Sequence, residues 1–286
     1  MQPICFSIVF VTNQPKKISS KSDSLIFEIY LLQIQYLHFN LFNSMKTLNY
    51  KLTTFSFAFL FLFAFSFSTA FAQEVRSLSN FEGISSGGSF DIKIIKSSKN
   101  EVKIEGADSE LLEKLETEVE GNHLKIGIRR GLNWKSYGSS SKVIITVYHT
   151  EKLEKLSLAG SGSIQWDGEL YSSELEINVA GSGKVCGRVA VSELEASIAG
   201  SGKICLQGAA TKQEVNIAGS GDYEAEDLKT QETEIRISGS GDAEVYVTQA
   251  LDAKVSGSGD IRYQTGGNDL KSKIVKVSGS GKVRKG

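Results

Sequence analysis

A Gly-Ser-Gly triplet recurs seven times in this chain, beginning at Gly160, Gly181, Gly200, Gly219, Gly239, Gly257 and Gly279, with steps of 21, 19, 19, 20, 18 and 22 residues. So short and regular a period points to stacked coils, each covering the exposed face of the one before. Around each triplet the same pattern returns: an alternating apolar run, then Ala or Ser, then the triplet, then a polar residue and another apolar one. Leu175, Ile177 and Val179 lead to one triplet and Val185 follows it; Leu194, Ala196 and Ile198, then Ile204, repeat this one period later. The column continues through Ile235, Ile237 and Ala243, through Ala253, Val255 and Ile261, and through Val275, Val277 and Val283. Alternation with period two, carried by β-branched residues, specifies strands.

A single coil cannot fold alone, because the few apolar side chains it buries do not offset the conformational entropy of ordering about twenty residues. The repeats must therefore cover one another. Strands recurring in one sense at this spacing suit a parallel β-solenoid with coils about 4.8 Å apart. A propeller blade needs about forty residues, and an antiparallel sandwich calls for hairpin signals such as Asn-Gly, which do not occur. The expected fold class is all-β.

Before Gln73 the chain has another character: it contains no glycine, yet holds both prolines, Pro3 and Pro15, and both methionines, Met1 and Met45. From Met45 it reads as a secretory signal, with basic Lys46 and Lys51, an apolar core from Phe55 to Phe67 and the small-x-small site Ala70-Phe71-Ala72. The expected division is residues 1–44 as an extension upstream of the true start, 45–72 as the signal peptide, 73–150 as irregular first coils, and 151–286 as the repeat solenoid, the last two forming one domain. The competing reading of the apolar stretch is an uncleaved membrane anchor; Ser56, Ser66 and Ser68 interrupt it, and it ends at a good cleavage site. The residue directly after that site is Gln73 and not a cysteine, which argues against a lipoprotein. The mature chain is expected to be exported to the periplasm, the cell surface or the medium, with no transmembrane segment.

Of 32 basic and 33 acidic residues, five lysines and two acids precede Gln73, leaving a net charge of about −4 on the rest, which with export argues against a nucleic-acid partner. The absence of proline after Gln73 fits continuous ladders, in which every proline deletes a donor. Between Val75 and Thr150 the triplet is missing but alternation persists at Phe90, Ile92 and Ile94, at Val102 and Ile104, at Leu124, Ile126 and Ile128, and at Val143, Ile145 and Val147. Residues 108–118 suit a short helix capped by Asp108, with Leu111, Leu112 and Leu115 on one face. Residues 129–142, rich in Gly and Ser, read as a loop. At the other end, Lys282, Arg284 and Lys285 read as charge that discourages pairing of the last edge.

The signal segment, the opening Phe81-Glu82-Gly83-Ile84, the strand Phe90-Asp91-Ile92-Lys93-Ile94, and the series from Val179–Lys184 to Val277–Lys282 resemble the putative auto-transporter adhesin "head GIN domain" family, DUF2807, common in Bacteroidetes. That resemblance covers nearly all of the mature chain and lies in the repetition. It implies a right-handed parallel β-helix of the pectin-lyase-like type, an adhesion role, and no established catalytic residues.

Stacking turns aligned positions into columns. If the residue two after each triplet points inward, its neighbours point out. One outward column is then Ser163, Lys184, Lys203, Asp222, Asp242, Asp260 and Lys282, and the other Gln165, Cys186, Cys205, Glu224, Glu244, Arg262 and Arg284. Asp222, Asp242, Asp260, Glu224 and Glu244 form an acidic band between two basic ones. Aspartates about 5 Å apart repel, which a cation such as calcium relieves with oxygen ligands; the alternative is that neighbouring basic groups and solvent balance them. Tyr223, Tyr246 and Tyr263 lie near the band, although alternation turns Tyr223 and Tyr263 into the core. The serine column, Ser161, Ser182, Ser201, Ser220, Ser240, Ser258 and Ser280, either hydrogen-bonds along the stack or offers a flat hydroxyl strip to a glycan, ice or a protein. Cys186 and Cys205 occupy one position in consecutive coils. At that spacing in an exported protein they are either bonded or two free thiols whose parallel side chains pair poorly.

Signals for catalysis are weak. Past Gln73 the only histidines are His123 and His149, with no metal-ligand spacing around them. No phosphate loop or nucleophile elbow occurs. A glycosidase needs two carboxylates facing across a groove at about 5 to 10 Å, which the Asp222, Asp242 and Glu224 cluster would have to supply without long insertions to wall it. The expectation is a non-catalytic adhesion or surface-interaction module with a glycan or a surface protein as partner. The alternatives are a polysaccharide-active lyase or hydrolase using the acidic band, and a purely structural envelope protein.

Overall fold

A computed structural model describes residues 31–38, 74–129, 143–267 and 269–286. The chain divides into two units, Met1–Thr69 and Ala70–Gly286. In the first, the described residues form a short exposed helix, α1, over residues 31–38. The signal segment expected at 45–72 and all but the first residue of the loop expected at 129–142 lie outside the described residues. Among those described, no helix is long and apolar enough to cross a membrane.

The second unit is a β-solenoid. Its body consists of β9 (Ser163–Gly181), β10 (Lys184–Gly200), β11 (Lys203–Gly219), β12 (Asp222–Gly239) and β13 (Ala243–Gly257), each following the chain around most of one coil. Consecutive members pair in parallel, with each triplet glycine opposite the next: Gly181 faces Gly200, Gly200 faces Gly219, and so on to Gly257. The unequal triplet steps do not disturb this alignment. The extra residues bulge out between Gln165 and Glu169 on β9, between Glu224 and Asp227 and between Ala225 and Lys229 on β12, and between Val247 and Ala250 on β13.

Alternation sends one column of each run inward. Ile164, Val185, Ile204, Tyr223, Ala243 and Ile261 form such a column, each at most 1% exposed, and Ile177, Ala196, Val215, Ile235 and Ala253 form another. Small residues follow large ones along a column, as with Ala243 beside Tyr223, so the stack fills without voids. One group of inner positions is polar. Gln213 stands in the column of Leu194 and Leu251, and its amide donates 2.9 Å to the Thr233 hydroxyl while its carbonyl accepts 2.8 Å from the Tyr223 hydroxyl. Thr230 completes the group, sharing a 2.7 Å bond with Thr233 and donating to the Tyr246 carbonyl. Each of these buried polar groups is satisfied, which removes the penalty for placing them there.

The triplet follows from the stacking. Its first glycine has a left-handed φ, +125° at Gly219, and a Cβ there would run into the Gly200 carbonyl of the previous coil. At its third position, a Cβ on Gly221 would stand 2.5 Å from both the Gly202 carbonyl and an Ile198 methyl. The serine between them points out, and its backbone amide carries the ladder: Ser220 N–H donates 2.8 Å to the Gly200 carbonyl, as every triplet serine does one coil back.

The N-terminal part comprises β1 (Glu74–Ser77), β2 (Gly83–Gly88), β3 (Asp91–Lys96), β4 (Glu101–Glu105), α2 (Ser109–Lys114), β5 (Leu115–Glu120), β6 (His123–Ile128), β7 (Ile144–His149) and β8 (Lys155–Gly160). β2 and β3 make a further true coil. β2 pairs in register with β8, placing Gly88 opposite Gly160, and β3 pairs with β9. Gly88-Ser89-Phe90 is thus a triplet whose third glycine is replaced by Phe90, fully buried here.

The residues between are a cap with antiparallel pairing, β1 on β4, β4 on β7, and β5 on β6. The β5–β6 hairpin turns at Gly121-Asn122, with Gly121 at φ +60°, the reverse of the dipeptide that signals such turns most strongly. Asp108 caps α2 as expected, accepting from the Leu111 amide at 2.8 Å, but the helix stops at Lys114 because Leu115 onward joins β6. At the far end the last coil is split into β14 (Ile261–Gln264), β15 (Ser272–Gly279) and β16 (Val283–Lys285), paired with β13 or β14.

Candidate functional site

Both outward columns form as the repeat specifies. Lys184, Lys203 and Asp222 face one another in register, as do Cys186, Cys205 and Glu224, and then Glu224, Glu244, Arg262 and Arg284. The five carboxylates of the band therefore share one face. Most are occupied by neighbours. Glu224 takes Lys203 at 2.6 Å, Glu244 takes Arg262 at 2.7 Å, and Asp260 takes Arg284 at 2.7 Å. Asp242 accepts the Asp260 amide at 2.7 Å and Asp260 accepts the Lys282 amide at 2.9 Å, so two aspartates act as caps from one coil to the next.

The bulge after Ala225 adds two acids that the column arithmetic passes over, Glu226 and Asp227. The Glu226 carboxyl titrates above its ordinary range because it hydrogen-bonds to Glu244 and lies in the field of Glu244, Asp227 and Glu224. Lys203 is held above the usual lysine value by its bond to Glu224 and by the surrounding acids. Among the described residues, no group of three or more His, Cys, Asp or Glu side chains is gathered closely enough to hold a metal ion.

Cys186 and Cys205 are register partners with Cα atoms 4.6 Å apart and sulfur atoms in contact. The seven serines all point to solvent, and among the described residues none of their hydroxyls has a hydrogen-bond partner. The hydroxyl ladder is thus not formed; backbone amides do that work. Beside the serines runs a second exposed column of small residues, Ala180, Ala199 and Ala218, then Ser238, Ser256 and Ser278, so this corner is a smooth strip along the repeats.

Sequence reasoning missed a second acidic ladder on the adjoining face. Glu176, Glu195, Glu214, Glu234 and Asp252 stack in register, each five residues before the first glycine of a triplet, a spacing that was there to be found. Lys155 pairs with Glu176 at 2.7 Å, and with Asn178 this holds that carboxyl below its ordinary range. Arg236 bridges Glu214 at 2.8 Å and Glu234, and Lys254 reaches Asp252 at 2.8 Å.

Open grooves run along the surface. One, about 620 Å³, follows Ala199, Ala218 and Ser238 with Arg236, Lys254 and Lys276 on its rim. Another, about 500 Å³, lies over Trp166, Gly187 and Arg188 and reaches Glu224 and Glu226. Trp166 packs where a side chain at Gly187 would stand and donates 2.7 Å to the Arg188 carbonyl. Neither histidine joins a site. His149 is buried, its Nδ1 bonded to the Glu151 carbonyl at 2.8 Å and its Nε2 unpartnered, and burial keeps it neutral by lowering its pKa.

A solenoid with repeating exposed columns defines a class of repetitive display surfaces. The chain belongs to the family described as putative auto-transporter adhesin, head GIN domain, which matches residues 80–267. Among solved structures, it is similar to a putative adhesin from Bacteroides fragilis, at 22% identity and TM-score 0.67, over 76% of this chain and 98% of that one. It is also similar to a putative lipid binding protein from Parabacteroides distasonis, at 30% identity and TM-score 0.59, over 75% and 96%. A putative adhesin from Parabacteroides merdae is 22% identical with TM-score 0.57, over 75% and 95%. No curated protein matches. The family and these relatives carry the names of adhesins and a lipid binder, not of enzymes.

Proposed function

We propose that the chain is an exported, non-catalytic surface-interaction module of the adhesion type, engaging a repetitive ligand such as a glycan along the serine corner and the acidic band beside it. The observation that carries this reading is the serine column: hydroxyls facing solvent at each coil, none with a partner among the described residues. Such hydroxyls exchange water for ligand without breaking protein bonds, and a periodic ligand meets them many times over. Export, the cleaved leader and the bond between Cys186 and Cys205 belong to the same reading.

The test is a glycan and polysaccharide screen on residues 73–286, run with and without calcium and with product detection. Ser201→Val and Ser220→Val, both at exposed positions, are expected to weaken binding while leaving the fold intact. Product release would instead support an enzyme using the acidic band, and complete silence a protein partner or a structural role. A second reading rests on the 620 Å³ groove, whose small apolar lining and basic rim of Arg236, Lys254 and Lys276 suit an acyl chain with an anionic head group; the 30% identical relative described as lipid binding supports it. Sedimentation with anionic vesicles, lost in Lys254→Glu, would favour it.

A further inference from the structure

The two ends of the solenoid carry opposite charge. From Leu270 to Gly286 the last coil has six basic residues, Lys271, Lys273, Lys276, Lys282, Arg284 and Lys285, and no acidic one. At the other end, residues 109–120 hold Glu110, Glu113, Glu116, Glu118 and Glu120 against Lys114 alone. Both ends also present strand edges with no second strand on them among the described residues: β15 pairs only with β13, and β5 only with β6, the Leu115 carbonyl at the start of β5 being taken by Arg76. At the basic end, Val275 and Val277 continue core columns, yet no described residue covers them as the next coil covers their counterparts, and they are 40% and 42% exposed.

From these features we infer that the chain stacks head to tail, the acidic β5 edge of one copy docking on the basic β15 edge of the next. The directions match. β6, β2, β8 and the body strands run parallel to β15, and β5 runs opposite to β6, so β5 of a coaxial neighbour meets β15 as an antiparallel ladder. The sides match as well. On β5, Leu115 and Thr117 turn inward while Glu118 is exposed; on β15, Val275 and Val277 lie in core columns while Lys276 stands in the outward column of Lys254. Val275 and Val277 would then be covered, with Lys276 on the same face as Glu118, and neither of these two has an ion pair among the described residues. Like charges oppose tail-to-tail and head-to-head pairing. The lysines that protect the edge from its own kind thus admit an acidic edge. Such a contact is heterologous and does not close, so it lengthens the rod with each copy.

Among the described residues every buried apolar side chain lies between Phe81 and Tyr263, inside the compact unit Ala70–Gly286, so residues 73–286 serve for the test. Mass by light scattering is followed over a dilution series at low and high salt, for the parent and for Lys276→Glu and Glu118→Lys. The parent is expected to gain mass with concentration, less so at high salt, and each variant alone to remain monomeric with an unchanged circular dichroism spectrum. Mixing the two variants restores opposite charge at every junction and is expected to restore the mass gain in alternating order. A parent that stays monomeric throughout, association that neither reversal reduces, or variants that mixing does not rescue would each overturn the inference. Ligand binding by the monomer is read separately in the screen above.

Discussion

The two ends of the solenoid face the same difficulty, a coil that no further described coil covers, and resolve it differently. At the N-terminal end Leu111 and Leu115 roof the core, and Arg76 ties the roof down, donating to the Leu112 carbonyl at 2.9 Å, the Leu115 carbonyl at 2.7 Å and the Thr117 hydroxyl at 2.9 Å. At the C-terminal end no such roof is formed by the described residues. Lys273, standing in the core column of Leu251, bends over Tyr263, 4.8 Å above its ring centre and 2.6 Å from its hydroxyl, while the valines beside it stay exposed. The lesson is that in a repeat protein stability and association are assigned to ends, because the interior coils are already covered on both sides.

Truncation of side chains breaks the comparison most sharply. Leu115→Ala is expected to cost about 3 kcal/mol, the range for emptying a buried leucine site, whereas Val277→Ala should cost well under about 1 kcal/mol because its methyls already touch water; equilibrium denaturation of both variants checks the ratio. Between the ends, the Cys186–Cys205 pair closes a loop of 19 residues. Thiol titration is expected to find no free thiol in the oxidised protein, and reduction to lower its stability by up to roughly 3 kcal/mol.

Arg76→Met should cost about 2 kcal/mol by leaving carbonyls at the roof without a donor, against less than about 1 kcal/mol for Lys273→Met at the open end. The smallest effect is one of pH. His149, near the capped end, has its pKa lowered by burial, so the unfolded chain binds the proton first. Its contribution is full above about pH 6.5 and is lost as pH falls toward the folded pKa. Acid titration of stability in His149→Gln should lack that segment of the slope.

The outward columns could be read from sequence because the triplet fixes register: once Gly200 stands over Gly181, every neighbour within seven residues is placed. Where that marker changes, legibility stops. The coil of β2 and β3 was read only as an irregular cap because Phe90 replaces the third glycine and the 66 residues 89–154 separate β2 from β8, its stacking partner. Gln213 was not assigned at all, since its place in an apolar column makes sense only beside Thr230, Thr233 and Tyr223, which chain distance hides. The free serine hydroxyls were also beyond reach, because the sequence does not say whether a backbone amide or a hydroxyl carries the ladder.

The corner after the first short strand has a consequence of its own. Coils of different length coexist because most of their surplus leaves the stack at this place, between Gln165 and Glu169 in one coil and between Ala225 and Lys229 in another, with a smaller bulge further on between Val247 and Ala250, while the triplet corner admits no added atom. The rod thus has a rigid seam and an elastic one. New segments can be spliced into the elastic seam, coil by coil, without the neighbours registering a change, and a binding loop grafted between Ala225 and Lys229 would inherit a fixed address on a scaffold that does not need to be redesigned around it.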